Sequence, residues 1–517
     1  MIEVHLYPVY SKIKCDKCLV KDIYEALVEH YYYWKEDSSR KDAYKFYTSN
    51  VRPYSKQPLV SDSLEFRTGY YQSIVKFLRD IEIEVQILDH RNIEMPDPDY
   101  CERVLNRMPL TLRDYQTEAL FKCLTQERVI VQIATGGGKG AILSADIECW
   151  QKKTLVPVTS IDLVEQLKQE FMDYTGSTDK DVGIIQGQRC DIKDVTFASL
   201  ATIVSSIKKK SKKSEKILNF LKEVEMIVID ECHHVQAESY QILIDSCPKA
   251  SIVHGYTATP QSSEFRVHDT TNGKVNDHSE EVNLDILLRG FIGPIGVKVT
   301  CRDLVKLGYL AEPIIYMIEN KLDKPDNMGS YDYEYLSTII DNDELNKSTA
   351  KIVEHLYRSH QQAIIFVTRI EHGRQLKRNL ISLNIPEDQI GYVTGESKDR
   401  KDSISEFKEG DLPILIGTVL SEGLNFFCDA GFDISRGKSS KNVRQRLGRV
   451  LRKKKTASGD VDTTQPLKVI YIDYYDTGHP IFYKQARRRL QTYQADGHTV
   501  IRIKLEDFLT QDLQIST

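Results

Sequence analysis

The sequence predicts an α/β protein, with two tandem parallel-sheet domains behind a small α+β module. Three observations carry that prediction. From about 109 to 300, short apolar runs alternate with helical patterns, and the same alternation returns after about 310. Strands separated by helices form parallel sheets covered on both faces, so their cores read as continuous apolar runs. Several of these runs lead within a few residues into a polar motif, and parallel sheets carry their active residues at the strands' carboxyl ends. The length, 517 residues, suits three to four domains at ~150 residues each.

Composition narrows the class. Hydrophobic residues make up 41% and charged residues 28%, which excludes a wholly disordered or collagenous chain. No run of 18 apolar residues and no charged-then-apolar leader is present, so neither a spanning helix nor a secretory signal is expected. Lys plus Arg (70) against Asp plus Glu (75) leaves −5, with a pI of about 6.3. That balance neither argues for nucleic acid nor excludes it, because local patches matter more than sums. Ten scattered cysteines do not form a disulfide framework. Cys15 and Cys18 make one C-x-x-C pair without a second pair at zinc spacing, so a reduced, cytoplasmic protein with no metal there is expected.

Residues 1–108 read as the α+β module. Ile2-Glu3-Val4-His5-Leu6 is strand-like, and Tyr70-Tyr71-Gln72-Ser73-Ile74-Val75-Lys76-Phe77-Leu78 has apolar residues at helical spacing. Ile83-Glu84-Val85-Gln86-Ile87 alternates like a half-buried strand. Tyr31-Tyr32-Tyr33-Trp34 cannot present four rings on one face, which favours core packing over base stacking. Met95-Pro96-Asp97-Pro98 reads as a linker. In the next domain, 109–310, strands are expected at Val129-Ile130-Val131, Met226-Ile227-Val228-Ile229 and Ser251-Ile252-Val253. In the last, 311–517, they are expected at Ala363-Ile364-Ile365-Phe366-Val367, Ile414-Leu415-Ile416 and Val469-Ile470-Tyr471-Ile472. The polar stretch 261–285 reads as a loop or insertion.

The first chemical motif follows the first of these strands. Ala134-Thr135-Gly136-Gly137-Gly138-Lys139-Gly140 precedes a helix beginning Ala141-Ile142-Leu143. Consecutive glycines let backbone N–H groups curl around phosphate oxygens, and a helix N-terminus adds partial positive charge. Lys139 can reach the β- and γ-phosphates of ATP. The residue after the lysine normally gives a hydroxyl to Mg²⁺, and here it is Gly140. A water can take that position, so weakened metal binding is expected, and Gly140→Thr should lower the Mg²⁺ concentration needed. Further on, Ile229-Asp230-Glu231-Cys232-His233-His234 ends another strand. Asp230 would sit on the metal, and Glu231 would polarise the attacking water. The histidines are adjacent and share no helical face, so hydrogen bonding is expected of them rather than metal ligation.

In motif order, the chain resembles superfamily 2 helicases across about 109–495, with a DECH form of the acidic motif. Leu110-Thr111-Leu112-Arg113-Asp114-Tyr115-Gln116 looks like the adenine-recognition segment, which implies ATP contacts for Arg113 and Gln116. Thr159-Ser160-Ile161-Asp162-Leu163-Val164-Glu165-Gln166 resembles motif Ia, with Thr159 where proline is usual, and Thr196-Phe197-Ala198-Ser199-Leu200 resembles motif Ic. Thr257-Ala258-Thr259-Pro260 matches motif III, which couples nucleotide state to domain movement, here through His233, Thr257 and Thr259. Phe366-Val367-Thr368-Arg369 with Glu371-His372-Gly373 resembles motif IV. Gly417-Thr418-Val419-Leu420-Ser421-Glu422-Gly423-Leu424-Asn425 resembles motif V, with Asn425 where Asp is common. Gln445-Arg446-Leu447-Gly448-Arg449-Val450-Leu451-Arg452 is a full motif VI.

The resemblance implies RecA-like folds for both large domains, ATP and Mg²⁺ as cofactors, and a site between the domains. Its catalytic residues would be Lys139, Asp230, Glu231, Gln445, Arg449 and Arg452, with Glu422 and Gly423 joining the ATP contacts. Arg449 and Arg452 lie three apart, hence on one helical face, from which both would reach the γ-phosphate. Thr159, Ser160, Ser199, Arg369 and Thr418 would touch DNA, mostly at phosphates, with weak sequence preference. Within the superfamily the UvsW/XPB-like group is nearest. The carriers are Phe291-Ile292-Gly293-Pro294-Ile295, Gly308-Tyr309-Leu310-Ala311-Glu312-Pro313 and the tail Asp473-Tyr474-Tyr475-Asp476, Gly478-His479-Pro480, Arg487 and Tyr493. The N-terminal module is similar to the duplex-binding module of that group's phage members.

The implied function is an ATP-dependent helicase or translocase on duplex, branched and single-stranded DNA. It would work with replication or recombination proteins and without a membrane, in the host cytoplasm if phage-encoded. The alternatives are an RNA helicase, a restriction-type motor subunit, and a weakly hydrolysing nucleotide-dependent DNA-binding module suggested by Gly140. Lys208-Lys209-Lys210-Ser211-Lys212-Lys213 reads equally as a duplex contact or a solvated surface loop.

Overall fold

The computed structural model describes residues 2–36, 52–159, 161–209, 211–258, 263–269, 276–282, 285–324, 328–395, 397, 400–418, 420, 427–453, 467–511 and 513. The chain separates into two compact units. One comprises Met1–Ile133 with Gly138–Lys298, the other Ala134–Gly137 with Val299–Thr517.

The first unit opens with a four-stranded sheet ordered Glu65–Arg67, Tyr10–Lys14, Ile2–Leu6, Val85–Asp89. Ile2–Leu6 pairs antiparallel with Tyr10–Lys14 and parallel with Val85–Asp89, and the helices Val20–His30 and Tyr71–Asp80 belong to the same module. Ile74 and Leu78, one turn apart, bury one face of the second helix against Val4 and Leu27. Tyr31 packs edge-on to Tyr70 and Phe77 while its hydroxyl donates to the Ser73 carbonyl, as core packing requires. The rings of residues 32–34 lie outside the described side chains.

Residues 95–97 carry no regular structure, as the linker reading expects; Pro98 then opens the helix Pro98–Arg107, where its missing N–H costs nothing, and Asp97 caps it by accepting from Asp99 N. The loop reading of 261–285 is corrected. In the polar stretch, Ser263–Asp269 and Asn276–Val282 pair antiparallel, and the first of them extends parallel to Arg52–Pro58 in a separate four-stranded sheet. Alternating polar residues gave no apolar period to announce those strands.

The unit's main sheet has eight strands. Its order is Arg189–Asp191, Val182–Gln186, Val195–Ser199, Thr154–Val158, Met226–Ile229, Ile252–Thr257, Arg128–Ile133, Ile295–Val299. From Val182–Gln186 to Arg128–Ile133 every pairing is parallel. Ile130, Leu155, Ile227 and Val253 are fully buried in one cluster, each contributing about 1.5–3 kcal/mol of hydrophobic stabilisation. A buried polar contact fixes the helix Lys139–Trp150 on the sheet. Asp146 Oδ2 accepts from Tyr256 OH and meets His254 Nδ1, both at 2.7 Å, and His254 Nε2 meets the Gln126 carbonyl at 2.9 Å. In the basic run at 208–213, Lys208 ends the helix Leu200–Lys208 and Lys212 begins the next, Lys212–Glu223, capped by Ser211; the exposed Lys209 lies between the helices, and Lys210 lies outside the described residues.

Among the described residues, the second unit's sheet has seven strands, all parallel. Their order is Ile390–Val393, Ile414–Gly417, Ala363–Phe366, Ala430–Asp433, Lys468–Thr477, Glu312–Lys321, Thr499–Ile503. The tail motif builds a buried charge network beside this sheet. Arg489 Nε and Tyr493 OH donate to Asp473, and Arg436 grips Asp476 through two nitrogens. His479 meets Glu334 at 3.0 Å. Burial opposes the charge on Arg436 and Arg489, and the facing carboxylates outweigh it, raising both pKa values. Among the described residues, no helix is long and apolar enough to cross a membrane.

Candidate nucleotide site

In the first unit the strand Ile252–Thr257 lies between Arg128–Ile133 and Met226–Ile229, and all three run parallel. Their carboxyl ends therefore share one edge. The glycine turn leaves Arg128–Ile133, Thr257 ends Ile252–Thr257, and Asp230 follows Met226–Ile229.

Backbone geometry explains the glycines. Gly136 and Gly138 hold φ of +85° and +70°, the left-handed region that side chains resist. Gly137 N closes a turn on the Ala134 carbonyl at 3.0 Å. Gly138 caps the helix Lys139–Trp150, and a Cβ there would stand 2.5 Å from Gln116 Nε2. Gln116 is buried, donates to the Gly138 carbonyl at 3.3 Å and accepts from Arg113 N at 2.9 Å. Arg113 also donates to Tyr115 OH at 2.9 Å. The predicted adenine segment is thus bound to the turn itself. Thr135 is buried, and Ala134 is half-buried. Lys139 Nζ donates to the Ile133 carbonyl at 3.3 Å, keeping its ammonium at the strand end.

The acidic motif is crowded. Burial first, then the adjacent Glu231 carboxylate, push Asp230 up to about 7, while the Lys139 ammonium pulls it back and Glu170 adds to the rise. Glu231 takes a left-handed φ of +48°, a conformation that costs on the order of 1–3 kcal/mol and gathers at functional sites. His233, buried, stands 3.2 Å from Glu231 Oε2 and 3.1 Å from Thr257 Oγ1. One imidazole nitrogen therefore stands between the Glu231 carboxylate and the end of the neighbouring strand. His234 rests against it at 4.1 Å between ring centroids. Clustered carboxylate oxygens beside an ammonium are the hard donors that suit Mg²⁺.

The sequence reading missed Glu170 and Tyr174. They lie one turn apart on the helix Ile161–Thr175, and Tyr174 OH donates to Glu170 Oε1 at 3.1 Å. A Cβ built on Gly140 would meet that same oxygen at 2.7 Å and Tyr174 Cε2 at 3.2 Å. A threonine at 140 would therefore have to displace the Glu170 carboxylate and press on the Tyr174 ring before its hydroxyl could reach an ion. The i,i+4 pair was visible in the sequence, but nothing local said what it faced.

The residues expected to touch nucleic acid divide. Thr159 is exposed just past Thr154–Val158. Ser199 is not available: it is wholly buried and its hydroxyl caps the helix Leu200–Lys208, accepting from Thr202 N. In the second unit Arg369 is half-exposed and paired with Asp332, and Thr418 is half-buried with its N–H on the Val393 carbonyl. Ser160, Thr259, Glu422 and Gly423 lie outside the described residues.

Motif VI forms the helix Ser440–Val450, in which Gln445 and Arg449 are buried. The helix stops before Arg452, which instead bridges Leu310 in a short antiparallel contact. The shared-face argument for Arg449 and Arg452 is corrected. Two residues past the helix end, position 452 takes its direction from the Leu310 contact. Arg446, not predicted to have a role, is locked to Asp433 at 3.0 Å and to Ser435.

Residues 109–262 match the family described as type III restriction enzyme, res subunit, and 347–454 match the helicase conserved C-terminal domain. The chain is 26% identical over 423 residues to Putative helicase 22 of Sulfolobus islandicus filamentous virus, covering 76% of this chain and 69% of that protein. It is 24% identical over 409 residues to the DNA 3'-5' translocase XPB2 of Sulfurisphaera tokodaii, covering 74% and 86%. Among solved structures, the fragment structure of "a putative HsdR subunit of a type I restriction enzyme from Vibrio vulnificus YJ016" shares the fold. Its TM-score is 0.52 at 18% identity, over 86% of this chain and 78% of that one.

Proposed function

The chain belongs to the superfamily 2 helicases, and from that premise we propose that it uses ATP to translocate on and remodel duplex and branched DNA. Replication, recombination or repair is the proposed setting, with proteins of those processes as partners and the cytoplasm as the place. The observation that carries the reading is the convergence of Lys139, Asp230, Glu231 and Thr257 on one edge of three adjacent parallel strands, with His233 between the last two. We assign 1–108 as a duplex-binding accessory domain, 109–310 as the ATP-binding domain and 311–517 as the second motor domain.

In this reading the N–H groups of the glycine turn and the Lys139 ammonium hold the β- and γ-phosphates. Gln116 and Arg113 orient the base. Asp230 would hold Mg²⁺, and the bound ion supplies charge neutralisation at the phosphates. Glu231 orients the attacking water and takes up its proton. His233 senses Glu231 and passes its position to Thr257. Arg449 and Arg452 are assigned the arginine-finger role at the γ-phosphate, and the change of nucleotide state on hydrolysis drives the step along DNA.

The test is the ATPase rate with no nucleic acid, with branched DNA, with single-stranded DNA and with RNA. Stimulation by DNA, branched above all, is expected. Stimulation by RNA alone would replace DNA with RNA as the substrate. No stimulation by any of them would reject the motor.

A further inference from the structure

We propose that Glu170 supplies the oxygen ligand to nucleotide-bound Mg²⁺ that Gly140 withholds. The inference rests on the reading of the glycine turn as an ATP site and adds a residue to it.

Position 140 is the second residue of the helix Lys139–Trp150, directly after the lysine assigned to the phosphates. A hydroxyl residue there would place its oxygen one bond beyond Cβ. Glu170 Oε1 stands 2.7 Å from where that Cβ would be. The carboxylate thus occupies the space of the missing side chain and brings an oxygen to it from a different helix, Ile161–Thr175. Tyr174 OH, at 3.1 Å, fixes the rotamer by donating to the same oxygen. The glycine and the glutamate are therefore one arrangement: any side chain at 140 would force the carboxylate out. Glu170 also belongs electrostatically to the acidic motif, since its charge adds to that of Glu231 at Asp230.

Chemistry favours the exchange. Mg²⁺ takes hard oxygen ligands and pairs well with carboxylates. Replacing a neutral hydroxyl by a carboxylate adds a full negative charge opposite the ion, which strengthens metal attraction. It also crowds Asp230 and Glu231 when no cation intervenes. A mechanical consequence follows. The helix bearing Glu170 begins two residues after the exposed Thr159, so the metal would be tied to the element that leads from the proposed strand contact.

The test uses the full chain and Mn²⁺ in place of Mg²⁺. The electron paramagnetic resonance signal of free Mn²⁺ is titrated into chain saturated with ADP, with ADP alone as blank, and metal-free binding of a fluorescent ADP is measured alongside. Glu170→Gln keeps the shape and should weaken Mn²⁺ binding by about tenfold or more, with metal-free nucleotide binding unchanged. Gly140→Thr combined with Glu170→Ala should recover metal affinity to within about threefold of the parent, since the hydroxyl regains its place. Gly140→Thr alone should weaken it. An unchanged Mn²⁺ midpoint in Glu170→Gln, with nucleotide still bound, overturns this proposal and leaves the ATP site standing. If the unaltered chain binds no ADP, the ATP site and the proposal fall together.

Discussion

Replacing Arg446 by alanine removes one partner of a buried ion pair in the second unit. Its Nη1 donates to Asp433 Oδ2 at 3.0 Å and to Oδ1 at 3.2 Å, and reaches Ser435 as well. Asp433 is fully buried and Arg446 is 7% exposed. Burial works against the guanidinium, and Asp433 more than offsets it, so the pKa of Arg446 is raised. After the change, the carboxylate keeps Ser435 N at 3.0 Å but loses its countercharge. Breaking a buried pair from one side costs about 3–5 kcal/mol, a large share of the 5–15 kcal/mol roughly typical of a domain. The assay is urea unfolding of the full chain followed by circular dichroism, with ATP turnover measured under folding conditions. The expected result is a clear fall in the midpoint of the second unit's transition. Arg446→Met with Asp433→Leu should recover most of it, because apolar replacement removes both charges. A shift below about 1 kcal/mol, well short of the loss expected for such a pair, together with abolished turnover would refute the reasoning and move the nucleotide role to Arg446.

Three further outcomes are expected. Arg452→Ala should leave ATP binding within a few-fold while turnover falls by ~10³ or more, as for loss of an arginine finger; weakened binding with turnover intact at saturation would sink that role. Gln116→Ala should reduce the preference for ATP over GTP by about tenfold, the worth of one to two hydrogen bonds, read from competition binding; unchanged selectivity would show that the residue only braces Gly138. His372, 1% exposed, has its pKa lowered to about 3 by burial and then by Arg436. The folded chain keeps it neutral and the unfolded chain protonates it below ~6.5, so its contribution is present above that pH and declines by about 1.4 kcal/mol per unit as pH falls. His372→Gln should flatten the loss of urea resistance between pH 7 and 5, and an unchanged slope would contradict the assignment.

Much of the architecture was legible because it is written in local pattern. Apolar runs marked Met226–Ile229 and Ala363–Phe366 directly, and the strand–glycine turn–helix succession around Lys139 needs only neighbouring residues to specify it. The order of motifs along the chain then located the acidic pair and the arginines. Polar strands such as Ser263–Asp269 escaped, since their pairing partner, not their own period, makes them strands.

What the chain's own letters determined was which chemical groups exist and which strand or helix carries each. Distances between groups remote in sequence were decided only by tertiary packing. Gly140 and Glu170 are thirty positions apart, and only the seating of one helix against another makes them share a single space. Ser199 looked like a phosphate contact until its helix claimed the hydroxyl, and the pairing of Arg446 with Asp433 is made only by the fold. The reason is physical: covalent spacing sets direction along a helix or strand, whereas burial and charge pairing depend on whichever side chains the fold brings within about 3 Å, the reach of a hydrogen bond.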